Sequence, residues 1–213
     1  MYRTGRRRNE AALDFSGWKG DMMEGYLLEA LPVLMVLGVS VLAVTGVGCL
    51  IWGKGRRRRY LVWTAAVFLG TLGLYFSGLL LLSCFGLTWR NLPTLVLWGV
   101  ALLSGWAGTI LIPVCFWSVE MPEQSVILGR AAKAAVAFFA AVVLFVTLWL
   151  GPLVLAFVYG SPERVVEYQG QTLLEENDGF LDLHYSYYAY HGPLFRGAER
   201  VWDGPARIDG DIN

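Results

Sequence analysis

The stretch from Leu92 to Trp117, LPTLVLWGVALLSGWAGTILIPVCFW, decides the fold, because it holds no Asp, Glu, Lys, Arg or His. A helix rises about 1.5 Å per residue and a bilayer's hydrocarbon core is about 30 Å thick, so about 20 apolar residues suffice to cross it. Residues 27–52, 61–85 and 134–159 repeat the pattern, with no charged side chain or histidine deeper than a helix end. Four such spans predict a membrane all-α protein, a four-transmembrane-helix bundle. Transporters and channels usually keep ionisable groups within their spans, because such groups are costly in lipid and are retained for a purpose. Their absence here predicts that any specific chemistry lies outside the spans.

Composition agrees. The chain of 213 residues is 56% hydrophobic and 16% charged, with a formal net charge of zero, far from a soluble average. The zero conceals an asymmetry. Lys54, Arg56, Arg57, Arg58 and Arg59 lie between the first two spans, Arg130 and Lys133 precede the fourth, and Arg90 alone stands between the second and third. After Gly160, four bases meet ten acids, a net of −6. Short cytoplasmic loops are enriched in Lys and Arg. The charges therefore predict a cell-membrane protein with Arg56–Arg59 and Arg130/Lys133 on the cytoplasmic side and the segment 161–213 on the other. Arg56–Arg59 are also placed to meet anionic lipid head groups, at about 1 kcal/mol per residue near the surface, against the preferred reading that the run merely sets topology. The three cysteines, Cys49, Cys84 and Cys115, all lie in apolar spans. That excludes a disulfide framework for the tail and favours small packing residues.

The first 26 residues form a separate segment that conflicts with this topology, since Arg3, Arg6, Arg7, Arg8 and Lys19 make it basic. Either the first span is a signal anchor held inside, with another span misread, or residues 1–21 are not native and translation starts at Met22 or Met23. The second reading is preferred. Peptide mapping tests it, and a peptide containing Arg6–Arg8 would sink it. The first span is too long for a cleavable signal and no small-residue cleavage site follows it.

Helices in lipid associate through close backbone approach at small residues. That singles out Gly73 with Ser77, Ala101 with Gly105, and Ser104 with Gly108 as packing positions. Ala137 with Ala141, and the glycines of the first span, follow the same logic. Gly151-Pro152 is expected to kink the fourth helix, because proline removes a backbone donor and crowds the preceding turn.

The tail reads as strands. Residues 164–168 and 172–176 flank a turn at Gln169-Gly170-Gln171, and Asn177-Asp178-Gly179 is a second turn. Leu181, Leu183, Tyr185, Tyr187 and Ala189 then alternate with Asp182, His184, Ser186, Tyr188 and Tyr190. A last strand is expected over 198–202 after Gly192-Pro193. This predicts a three- or four-stranded antiparallel meander, a small C-terminal extracytoplasmic β module. About 50 residues rarely bury a sufficient core, so it should lean on the helix ends, the head groups or a partner.

Within the tail, Val165-Val166-Glu167, Gly170, Asp178, Phe180-Leu181-Asp182, Tyr185, Tyr187-Tyr188, Tyr190, Pro193 and Arg196-Gly197 form a spaced pattern over residues 163–201. It resembles the C-terminal segment of small, uncharacterised membrane proteins of Firmicutes. The resemblance implies a bacterial cell-envelope setting and carries no activity.

Asp182 and His184 share a strand face at spacing two, so a metal is geometrically open to them, but His191 falls on the opposite parity. The terminal Asp209-Gly210-Asp211-Ile212-Asn213 begins like a calcium loop yet lacks the remaining ligands. No catalytic, cofactor or metal residues are assigned, and no nucleic-acid partner is expected. Tyr185, Tyr187, Tyr188 and Tyr190, with Arg196, are the candidate interaction face; the competing reading makes one tyrosine face the module's core and leaves the other in the head-group belt. The expected function is a non-enzymatic cell-envelope anchor that displays the β module for interaction or assembly, with the lipid bilayer, a membrane-protein partner or a second copy as partners. The alternative is an accessory or core subunit of a transporter.

Overall fold

The computed structural model describes residues 7–119, 126–177 and 184–208, with side chains from residue 30 onward except at Val126. Four helices dominate: α1 (Arg7–Trp52), α2 (Gly55–Ser83), α3 (Asn91–Trp117) and α4 (Val126–Tyr159). All four are long and apolar enough to cross a membrane, α1 through its Ala30–Trp52 portion. They begin earlier than hydropathy indicates, α4 at Val126 rather than 134 and α2 at Gly55 rather than 61. Polar and basic residues are adequate helix formers once an apolar turn follows. Both α3 and α4 run unbroken through Pro113 and Pro152.

The bundle is thinly buried. Large apolar side chains such as Val36, Leu69, Leu80 and Trp149 are well over half exposed, which suits a hydrocarbon solvent rather than water. α3 packs against α2 and α4, and α1 packs against α4 and α3, while α1 and α2 barely meet beyond their connecting turn. One core joins α1 to α4 through Leu42, Val136, Ala140 and Val143. A second joins Cys49, Leu61 and Cys115 near the end where α1 and α3 finish.

Backbone approach uses first-span glycines, as expected, together with Gly151, which was expected only to kink its helix. Gly38 faces Val143, Gly46 faces Ile112, and Gly151 sits under Leu102, where an added Cβ would fall 3.0 Å from a methyl carbon. Ala101 is buried, and Gly105 and Gly108 face Phe68 and Thr64 of α2. Gly73 has open space where a side chain would be, and the Ser77 hydroxyl donates back to the Leu74 carbonyl at 3.4 Å. That pair does not pack against another described helix. Ser104 likewise turns its hydroxyl to the carbonyls of Val100 and Ala101. Between helices, the Trp106 indole donates to the Thr147 hydroxyl at 3.1 Å.

The strands are β1 (Leu87–Trp89), β2 (Glu163–Tyr168), β3 (Gln171–Asn177), β4 (Tyr185–Tyr190) and β5 (Phe195–Gly204). They form one antiparallel sheet in the order β1-β5-β4-β3-β2. The meander expected of the tail is present and has a fifth member from elsewhere. β1 lies in the α2–α3 connection and pairs with β5, Leu87 opposite Gly197 and Trp89 opposite Phe195. Gln169 and Gly170, at φ 50 and φ 78, make a two-residue hairpin turn with both central residues left-handed, the form that matches strand twist. Asp178, Gly179, Leu181, Asp182, Leu183 and residues 209–213 lie outside the described residues, so the second turn and the calcium-like ending are not addressed by this fold.

Candidate functional site

The α2–α3 connection is built to reach the sheet. Gly86, at φ +66, turns the chain after α2, and its carbonyl accepts from the Ala198 N–H at 2.9 Å. The Trp89 indole lies across Gly78 of α2, where an added Cβ would stand 2.9 Å from its Cε2. The same indole reaches the Tyr75 carbonyl at 3.4 Å and packs on Phe195 with ring centroids 5.3 Å apart. Gly78 is therefore the floor on which β1 sits.

Beside it lies a charged junction. The two-residue turn sets Glu163 directly opposite Glu176 across β2 and β3, and like charges so placed repel. Each is neutralised from another element. Arg90, which precedes α3, donates from Nε to Glu163 at 2.8 Å, with both side chains largely buried. Arg196 of β5 pairs with Glu176. Asn91, the first residue of α3, bridges the two: its backbone N–H donates to Glu163 at 2.9 Å and its side-chain amide donates to Glu176. α3 has no acid in its own first turn and no side-chain cap from Arg90, so Glu163 supplies the carboxylate that its positive end favours. Arg90 also donates to the Gly192 carbonyl at 3.2 Å. Sheet and bundle thus share one buried ion network.

The tyrosines belong to this construction. Tyr185, Tyr187 and Tyr188 are buried and Tyr190 is half-buried; Tyr185 and Tyr187 lie in the module's core, where the competing reading has one tyrosine face. Both sides of β4 are covered. On the side toward α3, Arg196 stacks over Tyr188 with its guanidinium carbon 4.0 Å from the ring centroid, and Arg90 lies 5.6 Å from the Tyr190 ring. Arg196 is accordingly an internal partner of Glu176 and Tyr188. On the far side, Tyr187 packs with Leu173 and Tyr185, donates to Glu175 at 2.8 Å and accepts from the Ile208 N–H at 3.0 Å. Arg207 adds an ion pair to Glu175 at 3.3 Å and lies 5.1 Å from the Tyr185 ring. Burial, with the Glu175 hydrogen bond second, pushes the Tyr187 phenol up to about 12.

What the sheet leaves accessible is a cleft of about 500 Å³ on the far side, bordered by Tyr168, Gln169, Gln171, Trp202 and Ile208. Val201 beside it is 55% exposed. His184 stands 3.6 Å from Asp203 at the surface. Among the described residues no three His, Cys, Asp or Glu side chains gather as metal ligands do.

At the other end of the bundle, the bases expected to set topology also cap helices. Arg58 donates to the Leu50 carbonyl at 2.7 Å, Arg57 bonds Ser118 and the Val114 carbonyl, and Lys133 reaches the Trp117 and Val119 carbonyls, each at 3.0 Å. Leu50, Val114 and Trp117 are in the last turns of α1 and α3, whose carbonyls lack intrahelical donors, and Val119 lies just past α3.

Sequence reading missed Arg90, Asn91, Glu163 and Glu176 as a unit. The available signal was the hairpin register, which places two acids face to face. The class defined by fold and junction is a helical protein with four spans able to cross a membrane and a sheet tied to one end. No protein-family model, curated protein or solved structure matches the chain.

Proposed function

We propose that this protein is a non-enzymatic, multi-pass component of a bacterial cell membrane, in which the bundle anchors the sheet rigidly outside the cytoplasm for contact with an envelope partner. The observation that carries this reading is β1. A strand drawn from between two spans, locked by Arg90, Asn91, Glu163 and Glu176, makes the sheet part of the membrane unit rather than a tethered appendage. A freely tethered module needs no such lock; a surface held at fixed height and orientation over the bilayer does.

The basic loops support a cytoplasmic placement of the opposite end, and the resemblance over 163–201 supports the envelope setting. With the tyrosines buried, the contact surface moves to the cleft beside Trp202 and Gln171. Two experiments test the reading. In a cysteine-free background, Ala206→Cys should react with a membrane-impermeant maleimide in intact cells, and Arg56→Cys only after permeabilisation; the reverse overturns the orientation. Mild-detergent purification should recover a partner that Trp202→Ser loses and Arg56→Gln keeps. A stoichiometric permease or ATPase that survives Trp202→Ser would instead support the transporter-subunit reading.

A further inference from the structure

α2 begins with an electrostatic conflict. Its positive N-terminal end carries Arg56, Arg57, Arg58 and Arg59 and no acid in the first turn, and its cap position is Lys54, which makes no side-chain cap. Cations are unfavourable at a helix N-terminus and anions favourable. Arg57 and Arg58 are partly engaged by helix-end carbonyls, while Lys54 has no partner among the described residues. Lys54, Arg57 and Arg58, with the Ser118 hydroxyl and Trp52, border a cavity of about 370 Å³ at this end.

A second feature adjoins it. Because α1 and α2 diverge from their turn, an apolar groove of about 350 Å³ opens between α1 on one side and α2 and α3 on the other, running from Leu50 and Leu61 up to Val39 and Phe68. Arg58 bonds the Leu50 carbonyl at the groove's foot. Arg58, Leu61, Ala65 and Phe68 follow one another at helical spacings of three and four, so cation and groove wall share one stripe of α2. From Val39 to Leu50 the groove covers about 16 Å of helix, close to the roughly 15 Å that half a hydrocarbon core provides.

Positive charge at the surface and an unfilled apolar channel one leaflet deep are the two halves of a lipid site. The geometry points to a bound anionic phospholipid of the leaflet on the basic side, its phosphate held by Lys54 and Arg58 and one acyl chain lying in the α1–α2 groove. The site is remote from the sheet and does not depend on the function proposed for it.

The test is native mass spectrometry of the full chain released from mild detergent, with dioleoyl phosphatidylglycerol, the phosphatidylcholine of the same chains, and glycerol phosphate as probes. One phosphatidylglycerol should be retained over phosphatidylcholine, with no retention of glycerol phosphate. Lys54→Gln should weaken it about fivefold, the effect of one charge near a membrane surface. Arg56→Gln, an equal charge change outside the cavity, should leave it unchanged. Ala43→Phe, at an exposed position lining the groove, should fill the channel and abolish retention. Equal losses for Lys54→Gln and Arg56→Gln would reduce the effect to diffuse surface charge and overturn the site. So would equal retention of phosphatidylcholine, binding of glycerol phosphate alone, an unaffected Ala43→Phe variant, or a dimer dispersed by Ala43→Phe, which would assign the groove to a second copy.

Discussion

Removing the Glu163 carboxylate should release the sheet from the bundle. Glu163 is 7% exposed and Arg90 14%, and they meet at 2.8 Å. Glu163→Ala therefore strands a nearly buried guanidinium, a change that costs about 3–5 kcal/mol. It also uncaps the Asn91 N–H, held at 2.9 Å, and loss of such a cap accounts for about 1 kcal/mol of that total. Glu163→Gln keeps one acceptor oxygen but loses the charge, and should fall lower, at about 1–3 kcal/mol. The double variant Arg90→Ala/Glu163→Ala has no stranded charge, so it should cost less than the sum of the two singles, with a coupling of about 1–3 kcal/mol. Denaturant unfolding in mild detergent gives the totals. Hydrogen exchange at Leu87–Trp89 and Glu163–Tyr168 reports whether the loss is local to the junction. A Glu163→Ala effect within about 0.5 kcal/mol, the range of ordinary surface substitutions, would refute the lock, as would strict additivity with Arg90→Ala.

Three further outcomes follow from other contacts. Gly78→Ala should destabilise by about 1–3 kcal/mol and shift Trp89 fluorescence, since the added methyl meets the indole, the cost typical of overpacking; Gly73→Ala, into open space, should be neutral or stabilising by up to about 1 kcal/mol. Tyr187 is fully buried with its phenol raised to about 12, against about 10 in an unfolded chain. Its stabilising effect is complete below about pH 10 and is lost as pH rises from about 10 toward about 12, by roughly 2–3 kcal/mol; tyrosinate absorbance followed alongside unfolding checks this, and Tyr187→Phe should remove that alkaline loss. Lys133→Met should cost about 1 kcal/mol by leaving the Trp117 and Val119 carbonyls without their shared donor, read as earlier fraying of α3 in hydrogen exchange.

The spans were legible because hydropathy over 20 residues is a local property, needing no knowledge of partners. Helix ends were not, since a hydropathy window is blind to helical turns made of polar residues such as Arg130 and Lys133. β1 was invisible for a different reason. Three residues carry no period, and Leu87 finds its partner at Gly197, far along the chain. The alternation in β4 was read with the right parity, Tyr185 and Tyr187 apart from Tyr188 and Tyr190, but parity separates faces without saying what covers them. Here both are covered, by the Arg196 side and by the Arg207–Ile208 segment. Register was the finest failure. A three-residue turn at Gln169–Gln171 sets Glu176 opposite Arg164, a satisfied pair; the actual two-residue turn sets it opposite Glu163. That one-residue slip separates an unremarkable hairpin from one that must recruit Arg90 and Arg196.

The charge asymmetry also matches the polarity of α1 and α3, although α2 starts against it at the basic end. α1 and α3 finish at the basic end, where Arg57, Arg58 and Lys133 supply donors to their terminal carbonyls. α3 starts at the acidic end, where Glu163 supplies the acceptor its first N–H requires. Reversing the charges of the two ends would therefore disturb the ends of α1 and α3. It would place carboxylates against helix C-termini and cations against the start of α3, both unfavourable by roughly 0.3–1 kcal/mol per group. The side chains that carry the charge asymmetry therefore also hold the ends of α1 and α3. Variants that neutralise Arg57, Arg58 and Lys133 together should lose bundle stability in detergent, where no topology remains to be chosen. A charge-neutral triple variant that unfolded like the wild type there would confine these bases to insertion alone.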